Sequence, residues 1–268
     1  MAAVVFSVVI PASALAQKES HAAYNPNTFE IGLGLFRPDV DTKIRADAPG
    51  IGGTDINLES DLAINNSKTL AYLILRWYIA DRHALDFGYF DLERNGAQTL
   101  RGDITFDGTT FQVNTTVNST FHTEIYKLSY TYEFFRSNSH SLGVTGGLHW
   151  TSLFMSINEP VFKTSDTVST DAPLPLVGIG YRYKFSDIWR FGLSGELFRL
   201  EIGNIEGDFT RFNLGAHYSF TKRWAIAFGF TYFNMDITVK KANIGDIGLS
   251  GRFVHRYRGP SAILVIGF

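Results

Sequence analysis

The sequence predicts an all-β protein, an antiparallel up-and-down β-barrel of about ten strands that crosses a membrane with those strands. Apolar residues alternate with small or polar ones in segment after segment, the period of a strand, and little helical periodicity runs through the chain. The connections alternate as well, with tight turns at one end of the strands and long polar excursions at the other. The third observation is the stretch Ser261-Ala262-Ile263-Leu264-Val265-Ile266-Gly267-Phe268, a bare run of β-formers with no charge after Arg258. Such a strand is a hazard unless it is paired on both sides, and closing the sheet on itself removes the open edge.

Composition narrows the function classes. A net charge of −2 without a basic tract speaks against a nucleic-acid partner. Cysteine is absent, so an exported chain of this kind has no disulfide framework and rests on its sheet. Mean hydropathy near zero is what a membrane barrel gives, because only alternate residues face lipid.

At the start, the apolar core Ala2 to Ile10, broken by Pro11 and followed by Ala14-Leu15-Ala16 before Gln17, reads as the later part of a secretory signal peptide that lacks its positive n-region. Residues 1–16 are expected to be removed, 17–28 to form a periplasmic lead-in and 29–268 the barrel.

The strands then follow in order. Strand one, Phe29 to Val40, sets Phe29, Ile31, Leu33 and Leu35 against Glu30, Gly32 and Gly34, and a loop from Asp41 to Ser67 comes after it. Strand two, Thr69 to Ile79, turns at Ala80-Asp81-Arg82-His83 into strand three, with Leu85, Phe87 and Tyr89 on one face. A second excursion spans roughly Arg94 to Ser119, within which Asp107-Gly108 reads as a hairpin tip extending the two strands outward. Strand four, Thr120 to Phe135, alternates most clearly, Tyr126, Leu128, Tyr130, Tyr132 and Phe134 against Lys127, Ser129, Thr131 and Glu133. Six more strands are expected, interrupted by excursions at Asn158 to Ala172, near Gly203 to Gly207, and at Lys240 to Gly251. Ten is an even count that places both ends on one side; eight and twelve remain open.

Which face is buried follows from what each face carries. The non-aromatic face holds Gly, Ser and Thr with charges of both signs: Arg76, Asp86, Lys127, Glu133, Arg182 and Glu196, with His149 and His217. That suits a barrel interior better than an outer surface. Aromatics on the apolar face collect beside the short turns, among them Trp77, Trp189, Trp224 and Phe268, as an interfacial girdle requires. Strands of about ten residues at ~3.3 Å each, tilted near 45°, cross the roughly 25 Å apolar band.

The terminal strand, with Phe268 last and Ile266, Leu264 and Ala262 at alternate positions before it, resembles the closing strand of bacterial outer-membrane β-barrel proteins of the small porin-like group. The resemblance implies that Phe268 is an assembly signal read by periplasmic chaperones and the barrel-assembly machinery. It also implies a location in the bacterial outer membrane, among its lipids and lipopolysaccharide, with short periplasmic turns and long outer loops.

Opposite interior charges are expected to pair and fill a narrow lumen: Arg76 with Asp86, Glu133 near Lys127, and Arg182 near Glu196. Arg252, Arg256 and Arg258, joined by Lys240 and Lys241, form a basic run expected to face outward at the outer interface, where lipopolysaccharide phosphates lie. No catalytic residue, metal or cofactor is assigned, since neither His149 nor His217 has ligand spacing. Asp39, Asp41, Asp91 and Glu93 are placed for the rim of an omptin-like protease, but no His–Asp pair is evident, and a hydrolase acting on lipid A lacks a Ser–His pair in the correct leaflet. The expected role is a monomeric structural or surface-interaction barrel, with a small-solute channel as the alternative and an outer-membrane enzyme behind both.

Overall fold

A computed structural model describes residues 28–202, 205–239 and 250–268. The signal-peptide reading of residues 1–16, nearly all of the 17–28 lead-in, and Lys240 and Lys241 lie outside the described residues. The elements are β1 (Phe29–Phe36), β2 (Asp39–Asp47), β3 (Ile56–Asn57), α1 (Leu58–Asp61), β4 (Leu70–Ala80), β5 (His83–Thr99), β6 (Ile104–Phe106), β7 (Thr109–Phe111) and β8 (Thr116–Arg136). They continue with β9 (His140–Glu159), β10 (Thr164–Lys184), β11 (Trp189–Ile202), β12 (Ile205–Ser219), β13 (Trp224–Val239) and β14 (Ser250–Gly267).

The sheet is a closed ring. Neighbours pair antiparallel in the order β1-β4-β5-β8 and on through β14, which returns to β1 with Leu33 opposite Leu264. The expected first strand is split at Arg37-Pro38. Pro38 has no N–H to give the ladder, Arg37 N donates to Pro260 O at 3.1 Å, and the chain resumes as β2 against the far half of β14. Counting β1 and β2 as one rib, ten ribs close the barrel. Phe268 N donates to Phe29 O at 2.9 Å, which ties the last residue to the first rib.

Along the long ribs the polarity of the faces reverses, whereas β4, which ends at Leu70, stays apolar outside throughout. On β8 the outward side chains run Tyr132, Tyr130, Leu128 and Tyr126 from the short-turn end, then Glu124, His122 and Thr120. Inward, Glu133, Thr131, Ser129 and Lys127 give way to Ile125, Thr123 and Phe121. The neighbouring rib switches at the same height, for Tyr126 lies opposite Trp150 and Lys127 opposite His149. β12 and β13 do so at Arg211 and Phe233, which face each other, with Phe209 and Met235 beyond. Half of the barrel is therefore apolar outside and largely polar inside, apart from an apolar patch of Ile74, Ala225, Ile263 and Val265, and the other half is mainly polar outside and apolar inside, as water demands.

This reversal corrects the sequence reading of the excursions. Asp41 to Ser67 contains most of β2 with β3 and α1; Arg94 to Ser119 contains the end of β5 and the start of β8; Asn158 to Ala172 is β9 running to Glu159 and β10 resuming at Thr164. These stretches look polar because their outward face meets solvent, while their inward residues build a core.

That core is closed over by the segments between ribs. Phe106, Phe111, Phe121, Phe209 and Phe233 are almost wholly buried in it, with Ile56, Leu58, Leu62, Ile64 and Leu100 from the covering segments. Each such side chain contributes about 1.5–3 kcal/mol through burial. The hairpin at Asp107-Gly108 is present, both residues at positive φ (45° and 87°) as a tight two-residue turn requires, but it does not extend β5 and β8 outward. It folds across the mouth instead, Asp107 N donating to Ala46 O at 3.2 Å and Thr105 N to Thr54 Oγ1 at 2.9 Å, because Ile104, Phe106 and Phe111 can bury only there.

Candidate functional site: a charged lumen

Inside the apolar-walled half, alternate positions of the ribs point charges into the bore. Arg76 on β4 faces Asp86 on β5 in register, and the fork closes on the carboxylate with Nε–Oδ1 at 2.6 Å and Nη2–Oδ2 at 2.9 Å. Thr131 Oγ1 adds a third bond to Asp86 at 3.3 Å. This pairing follows the sequence expectation; the other two pairings do not.

Lys127 and Glu133 lie six residues apart on one strand, roughly 20 Å at ~3.3 Å per residue, and do not meet. Arg182 is opposite Gly192 and Glu196 is opposite Gly178, four rungs away. Partners are chosen across the bore at equal height instead. Lys127 Nζ bonds Glu196, reaching over β9 and β10, and Glu133 binds both Arg182 and Arg136. Arg136 also reaches Asp81 at 2.9 Å, and Arg182 donates to Tyr78 Oη at 3.1 Å. His217 accepts from Arg190 Nη2 at 2.9 Å. His149 is buried, its Nδ1 3.1 Å from Thr151 Oγ1 and its ring stacked 5.8 Å from Phe233.

Four participants escaped the sequence reading: Asp81, Arg136, Arg190 and Arg211. Asp81 lies in the expected turn at 80–83, and Arg136 lies just past the expected end of strand four. Arg211 carried a usable signal, since it lies directly opposite Glu196 once β11 and β12 are paired through their turn. Its guanidinium donates to Tyr257 Oη at 3.0 Å and lies 5.4 Å from the Phe233 ring centre. The charges line the bore rather than fill it, leaving a cavity of about 480 Å³.

Outside the bore, the three arginines of β14 project outward, and the register is unbroken through Pro260, opposite Phe230. Each has a carboxylate on a neighbouring rib: Arg252 to Asp236 at 2.6 Å, Arg256 to Asp41 at 3.8 Å, and Arg258 to Asp39 at 3.8 Å. Asn234 Oδ1 also accepts from Arg256 at 2.7 Å. A second correction concerns the rim. His122 Nε2 and Asp91 Oδ1 stand 2.9 Å apart on the outward face, a His–Asp pair that sequence spacing conceals because 31 positions separate the two. Just below it Tyr89 and Tyr126 both donate to Glu124 Oε1, at 2.9 and 2.7 Å. At the short-turn end, Lys184 bonds Asp187 and holds its carboxyl below the usual range. Among the described residues no group of three or more His, Cys, Asp or Glu is placed to hold a metal ion.

No family model matches the sequence, and no curated protein matches it. Solved structures resemble it in fold. The outer-membrane protease OmpT from Escherichia coli aligns over 91% of this chain and 98% of that chain, with a TM-score of 0.57 at 10% identity. The translocator domain of the autotransporter NalP from Neisseria meningitidis covers 91% and 90%, with a TM-score of 0.49 at 10% identity. For the toluene transporter TodX from Pseudomonas putida the figures are 93% and 92%, a TM-score of 0.39 and 9% identity. The fold is that of bacterial outer-membrane β-barrel proteins.

Proposed function

We propose that the chain is an integral barrel of the bacterial outer membrane that presents a closed, folded surface module to the outside instead of conducting solutes. The short turns lie in the periplasm, the apolar outer band sits in lipid, and the polarity-reversed half stands above the outer leaflet. One observation carries this reading: the outer half of the bore is filled by a mainly apolar core, with Phe121, Phe209 and Phe233 at its centre, the buried Arg94 held by partners beside Phe121, and the 48–67 and 100–115 segments over it. Ions do not cross such a region, because a charge left in an apolar environment without a partner costs several kcal/mol. An interaction role is supported by the turn between β9 and β10, where Val161 and Phe162 are about three-quarters exposed.

Refolded protein inserted into planar bilayers should give no stable conductance steps. Large, long-lived steps from the unmutated protein would overturn the closed reading and favour a small-solute channel. An enzymatic role would rest on the outward His122–Asp91 pair, and a peptide or lipid hydrolysis lost in Asp91→Asn would establish it.

A further inference from the structure

We infer that the lumen cavity is a binding site for a small organic oxyanion, a carboxylate or phosphate monoester carrying an apolar group, reached from the periplasmic end. The direction of approach rests on the orientation and seal proposed above; the site itself does not.

The cavity, at about 480 Å³, falls within the roughly 300–1,000 Å³ of small-molecule sites. Its inner end holds an unbalanced charge group. Glu196 Oε1 is taken by Lys127, while its Oε2 is 3.6 Å from Arg211 Nη1 and has no hydrogen bond. Arg211 Nε has no hydrogen-bond partner either. Two cations thus share one carboxylate, and the guanidinium keeps an unused donor although the side chain is only 10% exposed. Five Lys or Arg and four Asp or Glu line the cavity, and Arg136 outside that lining, which also binds Glu133, is balanced by Asp81. A buried donor without a partner is costly, and because Arg211 lines the cavity, an oxyanion arriving there supplies an acceptor to its guanidinium once the side chain turns toward it.

The rest of the inner end is aromatic. Tyr257 stacks on Phe233 with ring centres 4.7 Å apart, and Phe90 meets Tyr257 at 6.2 Å and Tyr72 at 6.5 Å, both edge-on. Those rings begin the apolar core, so a ligand with its anionic group toward Lys127 and Arg211 has an apolar surface for its remainder. The Arg76, Asp86 and Arg182 side chains that line the cavity are about a quarter exposed, against 18% for Lys127, while Glu133, Arg136 and Asp81 at the short-turn end are more buried. Space beside the site comes from Gly88, where an added Cβ would meet Tyr72 Oη at 3.8 Å and Lys127 Cβ at 3.9 Å, ordinary contacts.

The test is calorimetric titration of the full chain refolded in zwitterionic detergent at low salt, using benzoate, phenyl phosphate, inorganic phosphate and benzyl alcohol. Benzoate or phenyl phosphate should bind with one-to-one stoichiometry, the tighter of the two telling carboxylate from phosphate, and benzyl alcohol should not bind. Arg211→Gln should weaken binding by about tenfold or more, the loss of one charge-assisted hydrogen bond. Gly88→Leu should abolish it by filling the space while keeping every charge and folding normally, as judged by heat-modifiable migration. Failure of both organic anions to bind folded protein, or binding that Gly88→Leu leaves intact, overturns the site. Inorganic phosphate binding as tightly as phenyl phosphate overturns the role of the aromatic rings. A barrel that conducts yet binds benzoate overturns the seal alone; one that is sealed and binds neither organic anion overturns the site alone.

Discussion

Arg94 Nη1 and Glu59 Oε1 stand 2.5 Å apart, joining β5 to the first turn of α1 in a sector of the outer barrel where β2 and β5 do not pair. The Arg94 side chain has no exposed area; it also donates to Thr42 Oγ1 at 2.8 Å and Asn65 O at 3.1 Å, and Thr42 Oγ1 lies 3.1 Å from His255 Nδ1. Asn57 caps α1 by accepting from Glu59 N and Ser60 N, so the carboxylate arrives already positioned. Arg94→Ala should destabilise the barrel by about 3–5 kcal/mol, because Glu59 is left without its counter-ion, whereas Arg94→Met with Glu59→Met should recover most of that loss. Urea unfolding followed by gel migration measures both.

Gly96 sits where the chain at Leu62 and Ala63 crosses β5, and a Cβ there would fall 2.5 Å from Leu62 O. Gly96→Val should cost about 1–3 kcal/mol as backbone is forced off backbone. Limited proteolysis of the refolded variant should show new cleavage within residues 48–67 and none within β8.

The lumen charges and the apolar core are separable obstacles. Arg182→Ser with Glu196→Ser should widen the cavity yet leave bilayer current at baseline, since Phe121, Phe209 and Phe233 still lie across the outer half. A step increase in conductance from that variant would mean that the charges are the barrier.

For the outward arginines, we propose contact with lipopolysaccharide phosphates. Arg256→Glu with Arg258→Glu places like charges beside Asp41 and Asp39 and beside the phosphates. Thermal stability should fall in lipopolysaccharide-containing bilayers and much less in neutral detergent. An equal fall in both media would assign these arginines to the rib-to-rib ion pairs alone.

Deleting Phe268 should lower the amount of folded barrel in the outer membrane, and Phe268→Tyr should have a mild effect because the aromatic anchor is kept. Surface levels measured by extracellular protease shaving would decide; equal levels for deletion and wild type would remove Phe268 as an assembly signal.

The membrane half was legible because period-2 alternation, tight turns and rim aromatics such as Trp77 and Trp224 are local signals. Arg76 with Asp86 was legible for the same reason, as those positions face each other across one short turn. Lys127 with Glu196 was not, since the heights at which β8 and β11 meet across the bore depend on the tilt of the closed ring. The outer half was hidden by its own chemistry. Thr116 and Asn118 read as loop when the inward Val117 is taken as a stray apolar residue, and a pattern whose faces exchange gives no constant signature. His122 and Asp91 came together only with the register of β5 and β8.

The exchange of faces at Tyr126 and Lys127 also sets how far this barrel is from being a pore. A strand shifted by one residue turns every side chain to the opposite surface, and a β-bulge inserts one residue. One added residue at the crossovers of β8, β12 and β13 would turn Phe121, Ile125, Phe209 and Phe233 outward, heightening the apolar band, and would bring Glu124 and Asn234 into the bore. A filled outer bore and a more open one would then differ by a few insertions and no change of topology, so that within such a chain the length of a rib, as well as its composition, bears on how tightly the bore is closed.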